Sequence, residues 1–169
     1  GKSHYYDSTM LMGAVMGFDI YGKNPSTKEE EPILPTLPSG REGGAWTEQD
    51  RENYNLHSDW ESRSGVYFRN NVWYWRPLWT LLSDEDDILS EGDIESGGYN
   101  SGHFISKAKC IKLAKRLREL DDEGTLAKIE KTSRDQIASD PTGLNYPFTA
   151  DNARDFGQFL QNCGGCYIS

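Results

Sequence analysis

The sequence predicts a small, helix-weighted single α+β domain with a few short strands and one long irregular insertion. The chain has 169 residues, a length that suits one domain. Only three of them are valines (Val15, Val66 and Val72), and strands favour β-branched residues, so a large sheet is not expected. Five tryptophans and nine tyrosines supply apolar area for a core, because each buried aromatic side chain covers on the order of 150–250 Å².

The domain organisation follows from the distribution of proline, glycine and charge along the chain. Met16 is the expected natural start, which makes residues 1–15 an N-terminal extension and 16–169 the domain. Residues 23–64 contain four prolines and an acidic run, and they are predicted to form an irregular insertion because proline cannot donate to a regular ladder. Within the insertion, Thr47 is expected to cap a short helix.

Two short strands and an aromatic helix are predicted in the first half of the domain. One strand is expected from Phe18 to Tyr21 and a second from Val66 to Phe68. Asn70-Asn71 is typical of a turn, since asparagine tolerates left-handed backbone angles. Pro77 fits the first position of a helix, where its missing N–H is harmless. The apolar face of that helix is formed by Trp75, Trp79 and Leu82.

Three helices separated by loops are predicted in the second half of the domain. Residues 91–105 are rich in glycine and serine and are predicted to be a loop. Ser106 is a good N-cap for a helix through Leu120, and a weaker helix is expected between Gly124 and Asp140. The last helix begins at the N-cap Thr149. It ends at a left-handed Gly164, and Tyr167-Ile168 is expected to form a final strand.

The charge of the chain limits the classes of partner. Its formal net charge is −9, which disfavours binding to a phosphate backbone and favours a basic protein partner. No stretch of about 18 consecutive apolar residues occurs, so no membrane span is expected. Three cysteines in a chain of this size do not make a disulfide framework, which favours a reducing cytoplasm.

Four stretches resemble an uncharacterised group of phage and prophage proteins. They are MGFDIYGKNP (Met16–Pro25), GVYFRNNVWYWRPLW (Gly65–Trp79), YNSGHFIS (Tyr99–Ser106) and FTADNARDFGQFLQNCGG (Phe148–Gly165). The resemblance implies a viral or mobile-element origin and location in the cytoplasm of a bacterial host, and it carries no catalytic residue across. The insertion at 23–64 and the cysteines of the tail depart from the group's pattern.

One candidate ligand site combines arginine and asparagine with aromatic side chains. Such residues can hold a base, a sugar or a phosphate by stacking and bidentate hydrogen bonds. The alternative is that the tryptophans are core and the arginines stack on them. A nearby polar loop carries a histidine that could serve a ligand or simply cap a chain end. The candidate residues are Arg69, Asn70, Asn71, Trp75, Arg76, Tyr99, Asn100 and His103.

A second candidate is the C-x-x-C pair Cys163 and Cys166. Such a pair can ligate zinc or act as a redox dithiol, but redox pairs lie at a helix N-terminus and this one follows a helix C-terminus. Zinc would need two more ligands, from Cys110 and one of three histidines. The favoured interpretation is two ordinary thiols around a helix end, and no cofactor is expected. The histidines are His4, His57 and His103.

The sequence therefore predicts a non-enzymatic phage or mobile-element accessory protein that binds a host macromolecule, such as a host protein, through an acidic or aromatic surface. No Ser/His/Asp order, phosphate-binding loop or H-E-x-x-H motif is present to indicate an enzyme. The alternative is a small-molecule or nucleotide-binding protein, or an enzyme, with its site near Arg69, Arg76 and His103. That alternative requires these three residues to converge.

Overall fold

The structure, a computed structural model, describes residues 17–27, 29–37, 45–143 and 146–169. The predicted start at Met16 and the extension 1–15 lie outside the described residues. The helices are α1 (Glu48–Arg63), α2 (Val72–Ser83), α3 (Glu91–Gly97), α4 (Lys107–Asp122), α5 (Thr125–Ser139) and α6 (Ala150–Asn162). The strands are β1 (Phe18–Gly22), β2 (Tyr67–Asn70), β3 (His103–Ile105) and β4 (Cys166–Ile168).

The four described strands form one antiparallel sheet in the order β2-β1-β4-β3. Ile20 in the central strand β1 pairs with Phe68 on one side and Ile168 on the other. Because paired residues point to the same face of a sheet, these three side chains lie on one face, and all three are buried. The predicted α+β class, weighted toward helix and with short strands, is confirmed.

Tryptophan side chains form the centre of the core. The Trp75 ring stacks on Phe18 with centroids 5.3 Å apart and on Trp79 at 5.4 Å. Its indole N–H donates to the Gly97 carbonyl at 2.9 Å, so the ring is buried without an unpaired donor. Leu82 lies on the same helix face and is fully buried, which confirms the predicted face of α2.

The start of α2 differs from the prediction. Asn70 belongs to β2, and Asn71 is the N-cap of α2, with its side chain accepting from the Tyr74 amide at 3.1 Å. The helix therefore begins at Val72, and Pro77 lies inside it rather than at its first position. The prediction was wrong because a side-chain cap at Asn71 outweighs the backbone hydrogen bond that Pro77 cannot make.

Two predicted irregular regions contain regular structure. In the 23–64 insertion, α1 runs for 16 residues from the predicted cap Thr47, whose side chain and that of Asp50 form a capping box. The 91–105 loop contains α3, capped by Ser90, and the strand β3. Both helices carry aspartate three residues after the cap, a signal that glycine and proline in the neighbouring sequence obscured.

The remaining helices agree with the sequence. Ser106 and Thr149 cap α4 and α6, each accepting from a backbone amide three residues on. Gly164 has φ 66°, the left-handed conformation predicted for it. The chain reverses at this glycine, and the following strand β4 pairs antiparallel with β1.

Candidate functional site

One aromatic side chain from each strand lies on the face of the sheet that the described helices leave open. Tyr21 pairs with Tyr67 of β2 and with Tyr167 of β4, and Tyr167 pairs with Phe104 of β3. Because paired residues share a face, these four side chains form a continuous row across the whole sheet. We call this set, Tyr67, Tyr21, Tyr167 and Phe104, the aromatic row.

The rings of the aromatic row touch in two pairs, and three of the four are more than a third exposed. The Tyr21 and Tyr67 centroids are 5.2 Å apart, and those of Phe104 and Tyr167 are 5.0 Å apart. Tyr21 is 48% exposed, Tyr167 39% and Phe104 38%. The Lys23 Nζ lies 4.9 Å from the centre of the Phe104 ring. An exposed run of aromatic rings on a monomer is typical of a contact surface.

Hydrogen bonding fixes one end of the row. The Tyr67 hydroxyl donates to the Asp19 carboxylate, and the Arg69 guanidinium lies 3.9 Å from the same carboxylate. Partial burial and this hydrogen bond raise the pKa of Tyr67 well above its ordinary value, so the hydroxyl stays protonated. The β2 end of the row is therefore polar and rigid.

Three of the predicted ligand residues lie together. Arg69, Asn70 and Asn71 line a groove of about 690 Å³ bounded by α1, β2 and α6. Asn70 is buried and exchanges two 2.9 Å hydrogen bonds with Asn152, and Asn71 caps α2. Both asparagine side chains are thus held by structural hydrogen bonds.

The other predicted ligand residues do not join them. Trp75 is core, and Arg76 lines a separate groove of about 660 Å³ between α2 and α5. His103 pairs with Ile168 and so points to the helix-covered face, whereas Arg69 pairs with Asp19 on the open face. Since β2 and β3 are also the two edges of the sheet, Arg69 and His103 do not converge. Tyr99 and Asn100 are exposed in the turn before β3.

His103 instead belongs to a cluster of hydrogen-bonded side chains around the buried carboxylate of Asp93. The Asp93 carboxylate accepts from the His103 Nε2 at 2.8 Å and from the Lys109 ammonium, and it completes the α3 capping box with Ser90. Burial would raise the pKa of Asp93, but these hydrogen bonds outweigh it and hold the pKa well below its ordinary value. The cluster fastens α3 to β3 and α4, which is a structural role.

All three cysteines of the chain meet in the core. Cys110 lies in the first turn of α4, Cys163 ends α6, and Cys166 begins β4. Their sulfur atoms all lie within 4.8 Å of one another, and the Cys110 and Cys166 sulfurs are 3.7 Å apart. The three side chains are buried and none forms a disulfide. We call this set the thiol cluster.

Ionisation is shared unequally within the thiol cluster. Hydrogen bonds with the Cys110 and Cys166 thiols lower the pKa of Cys163. Hydrogen bonds with the Cys110 and Cys163 thiols, together with burial, raise the pKa of Cys166. One negative charge is therefore tolerated among the three sulfurs more readily than two.

The histidines that the sequence offered as zinc ligands lie elsewhere. His57 hydrogen-bonds Glu31 at 2.9 Å and Glu61 at 3.0 Å, and His103 is bound to Asp93. His4 falls outside the described residues. Cys110, in contrast, is the predicted third ligand and does join the pair.

Comparison of the chain with protein-family models, with curated proteins and with solved structures finds no match in any of the three. Within the part of the chain that the structure describes, the helices are too short or too polar to cross a bilayer. The molecule is thus defined by its architecture: an α+β domain with an aromatic row on its open sheet face and a thiol cluster beneath the other face.

Proposed function

We propose that this chain is a non-enzymatic accessory protein of a phage or mobile element, and that it binds a basic host protein through the aromatic row. The observation that carries the proposal is the presence of one partly exposed aromatic ring from every strand in a single line across the open face. Three of these rings, Tyr21, Tyr67 and Phe104, fall within the stretches that resemble the phage and prophage group.

The chemistry of the row suits a protein partner. Tyrosine is enriched in protein interfaces because its ring offers a large contact area and its hydroxyl offers a hydrogen bond at little entropic cost. Residues of this kind become energetic hot spots when a partner excludes water from them. The Asp19 carboxylate at the β2 end of the row offers a contact for a basic side chain, and Arg69 and Lys23 can bind carbonyl or carboxylate oxygens of the partner.

The net charge favours a basic partner over a nucleic acid. Stacking on aromatic rings could hold bases, but a chain with a net charge of −9 repels the phosphates that supply most nucleic-acid affinity. Five acidic side chains between Asp84 and Glu95 are exposed: Asp84, Asp86, Asp87, Glu91 and Glu95. The acidic charge would accelerate encounter with a basic protein, and the aromatic row would hold it.

The test is capture of partners from bacterial lysate by the tagged chain, followed by binding kinetics with the captured protein. The row variant is Tyr21→Ala combined with Tyr167→Ala. The matched control is Tyr74→Ala on α2, which removes a tyrosine that is 38% exposed and lies outside the row. We expect the row variant to lose capture by raising the off-rate, and the control to bind as the wild type does. Added salt should lower the on-rate of the wild type, the row variant and the control alike.

Two results would contradict the proposal, and loss of folding in the row variant would call for further variants. Capture that survives in the row variant but not in the control would place the contact elsewhere. Capture that disappears after nuclease treatment would indicate a nucleic acid. A row variant that has lost its circular dichroism signal or melts much earlier cannot be interpreted, so Tyr21→Ser and Tyr167→Ser are made singly and must weaken capture while keeping the fold.

A further inference from the structure

We propose that Cys110, Cys163 and Cys166 form a binding site for one thiophilic metal ion with a filled d shell, such as Zn²⁺ or Cu(I), and that this ion ties α4 to the C-terminal strand. Every cysteine of the chain is in this cluster, although they come from two segments far apart in sequence. This site is independent of the proposed function.

The sulfur positions fit a shared metal. Zinc bound to thiolates at about 2.3 Å with tetrahedral angles places neighbouring sulfurs roughly 3.8 Å apart. The Cys110 and Cys166 sulfurs are 3.7 Å apart, and the largest separation in the cluster is within 4.8 Å. Small side-chain rotations that move each sulfur by about half an ångström would bring all three sulfurs to bonding distance of one ion.

The turn between Cys163 and Cys166 is built to aim both side chains inward. Gly164 and Gly165 both have positive φ, at 66° and 94°. A Cβ on Gly164 would lie 2.3 Å from the Asn24 carbonyl oxygen, so the turn also packs tightly against the chain after β1. Only glycine can occupy two successive positions of this kind without strain.

The burial of the cluster indicates a structural ion. Catalytic metal sites keep a coordination position open to water, whereas all three cysteines here are buried. Among the described histidine, cysteine and acidic residues, the group that could share an ion contains these three alone. Soft thiolate ligands select Cu(I) and zinc over harder cations. Three sulfurs satisfy Cu(I), whereas zinc would take a fourth ligand that the described histidine, cysteine and acidic residues do not supply.

The experiment measures metal in the full chain purified under a thiol reductant and without chelator, by mass spectrometry of the elements. We expect about one equivalent of a thiophilic metal in the wild type. The protein is then stripped and titrated with Zn²⁺, with Cu(I) and with Co²⁺, whose thiolate charge-transfer absorption reports sulfur ligation. The two arms with Zn²⁺ and Cu(I) show which ion binds more tightly.

The variants are Cys110→Ser, Cys163→Ser and Cys166→Ser, with Ala114→Ser as the control that adds a hydroxyl to the same buried face of α4. Each cysteine variant should lose affinity by more than roughly 100-fold, because removal of mere outer-shell partners already costs about 10–100-fold. The control should bind as the wild type does. If a serine variant does not fold, titration of the stripped wild type still shows whether the chain binds the ion.

Two results would overturn the proposal. Stripped wild type that takes up none of the three ions, and whose melting temperature does not rise when they are added, would make the cluster a set of core thiols. Binding that persists in Cys110→Ser would place the ion on other groups.

Discussion

The two faces of the sheet are built from alternate residues of the same strands, yet they differ in burial. On the inner face, Ile20, Phe68 and Ile168 are buried under helices. On the open face, the neighbouring residues of the aromatic row are of similar size and apolarity, but Tyr21, Tyr167 and Phe104 remain more than a third exposed. Three of the four residues in the aromatic row carry a hydroxyl group, whereas Ile20, Phe68 and Ile168 carry none.

This difference in burial separates the residues that stabilise the fold from those that are available to bind a partner. Burial of the inner residues supplies the hydrophobic free energy that holds the domain together, at roughly 25 cal/mol for each Å² removed from water. The open face supplies less of that free energy, because Tyr21, Tyr167 and Phe104 keep between 38% and 48% of their area in water. Aromatic side chains that are not needed for folding are available for a partner, which is the basis of the proposed function.

The largest expected effect tests this contrast on two neighbours in β1. Ile20→Ala should destabilise the fold by about 2–5 kcal/mol, because it removes a fully buried side chain and leaves a cavity. Tyr21→Ala should cost less than about 1 kcal/mol, the range of a cross-strand surface pair. Urea unfolding of both variants measures the free energies. Equal losses would show that the open face is part of the core.

A second test uses two glycines of α3 that differ in what lies above them. A Cβ on Gly97 would lie 2.0 Å from the Trp79 ring, so Gly97→Ala should destabilise by about 1–3 kcal/mol through overpacking. A Cβ on Gly92 would meet only the Ser90 hydroxyl at 3.8 Å. Gly92→Ala should therefore stabilise by up to about 1 kcal/mol through helix propensity. Thermal melting of the two variants should shift in opposite directions.

A third test compares two aspartates that occupy the same capping-box position. Asp93 is buried against His103 and Lys109, whereas Asp50 faces solvent. Asp93→Asn should cost about 1–3 kcal/mol at neutral pH because hydrogen bonds between charged groups are lost, and Asp50→Asn about 0.5 kcal/mol or less. Urea unfolding at neutral pH gives both values.

The pH dependence of Asp93 has a definite sign. Its pKa is lowered in the folded state, so its stabilising contribution is present above the unfolded pKa of about 3.9 and is lost as the pH falls from there toward the folded pKa. The stability difference between wild type and Asp93→Asn should therefore shrink between pH 6 and pH 3. A difference that grows on acidification would contradict the assigned hydrogen bonds.

The sequence predicted the parts of the fold that depend on local signals. Caps at Thr47, Ser106 and Thr149 are where the structure has them, because a side-chain acceptor three residues before an amide is a local arrangement. The left-handed Gly164 and the strand at β1 are confirmed for the same reason. Pro77 was misplaced because a local preference for the first helical turn was overruled by a better cap upstream.

The parts that depend on pairing could not be predicted. The aromatic row arises only because the order β2-β1-β4-β3 aligns Tyr67, Tyr21, Tyr167 and Phe104, and each of these residues looks unremarkable in its own segment. Arg69 and His103 were grouped by chemistry, but sheet order and side-chain alternation separate them. Cys110 was named as a third ligand, and only the packing of α4 on α6 shows that it lies with Cys163 and Cys166.

The smallest expected effect measures how much the aromatic row contributes to folding. A double-mutant cycle of Phe104→Ala and Tyr167→Ala should give a coupling of about 0.2–1 kcal/mol, since their rings touch at 5.0 Å. The cycle cancels the separate contact of Phe104 with Lys23. Tyr21 and Phe104 lie on strands separated by β4, so their coupling should be close to zero. A coupling above roughly 1.5 kcal/mol for the adjacent pair would mean that the row stabilises the sheet as a unit, and its exposed rings would then need no partner to explain them.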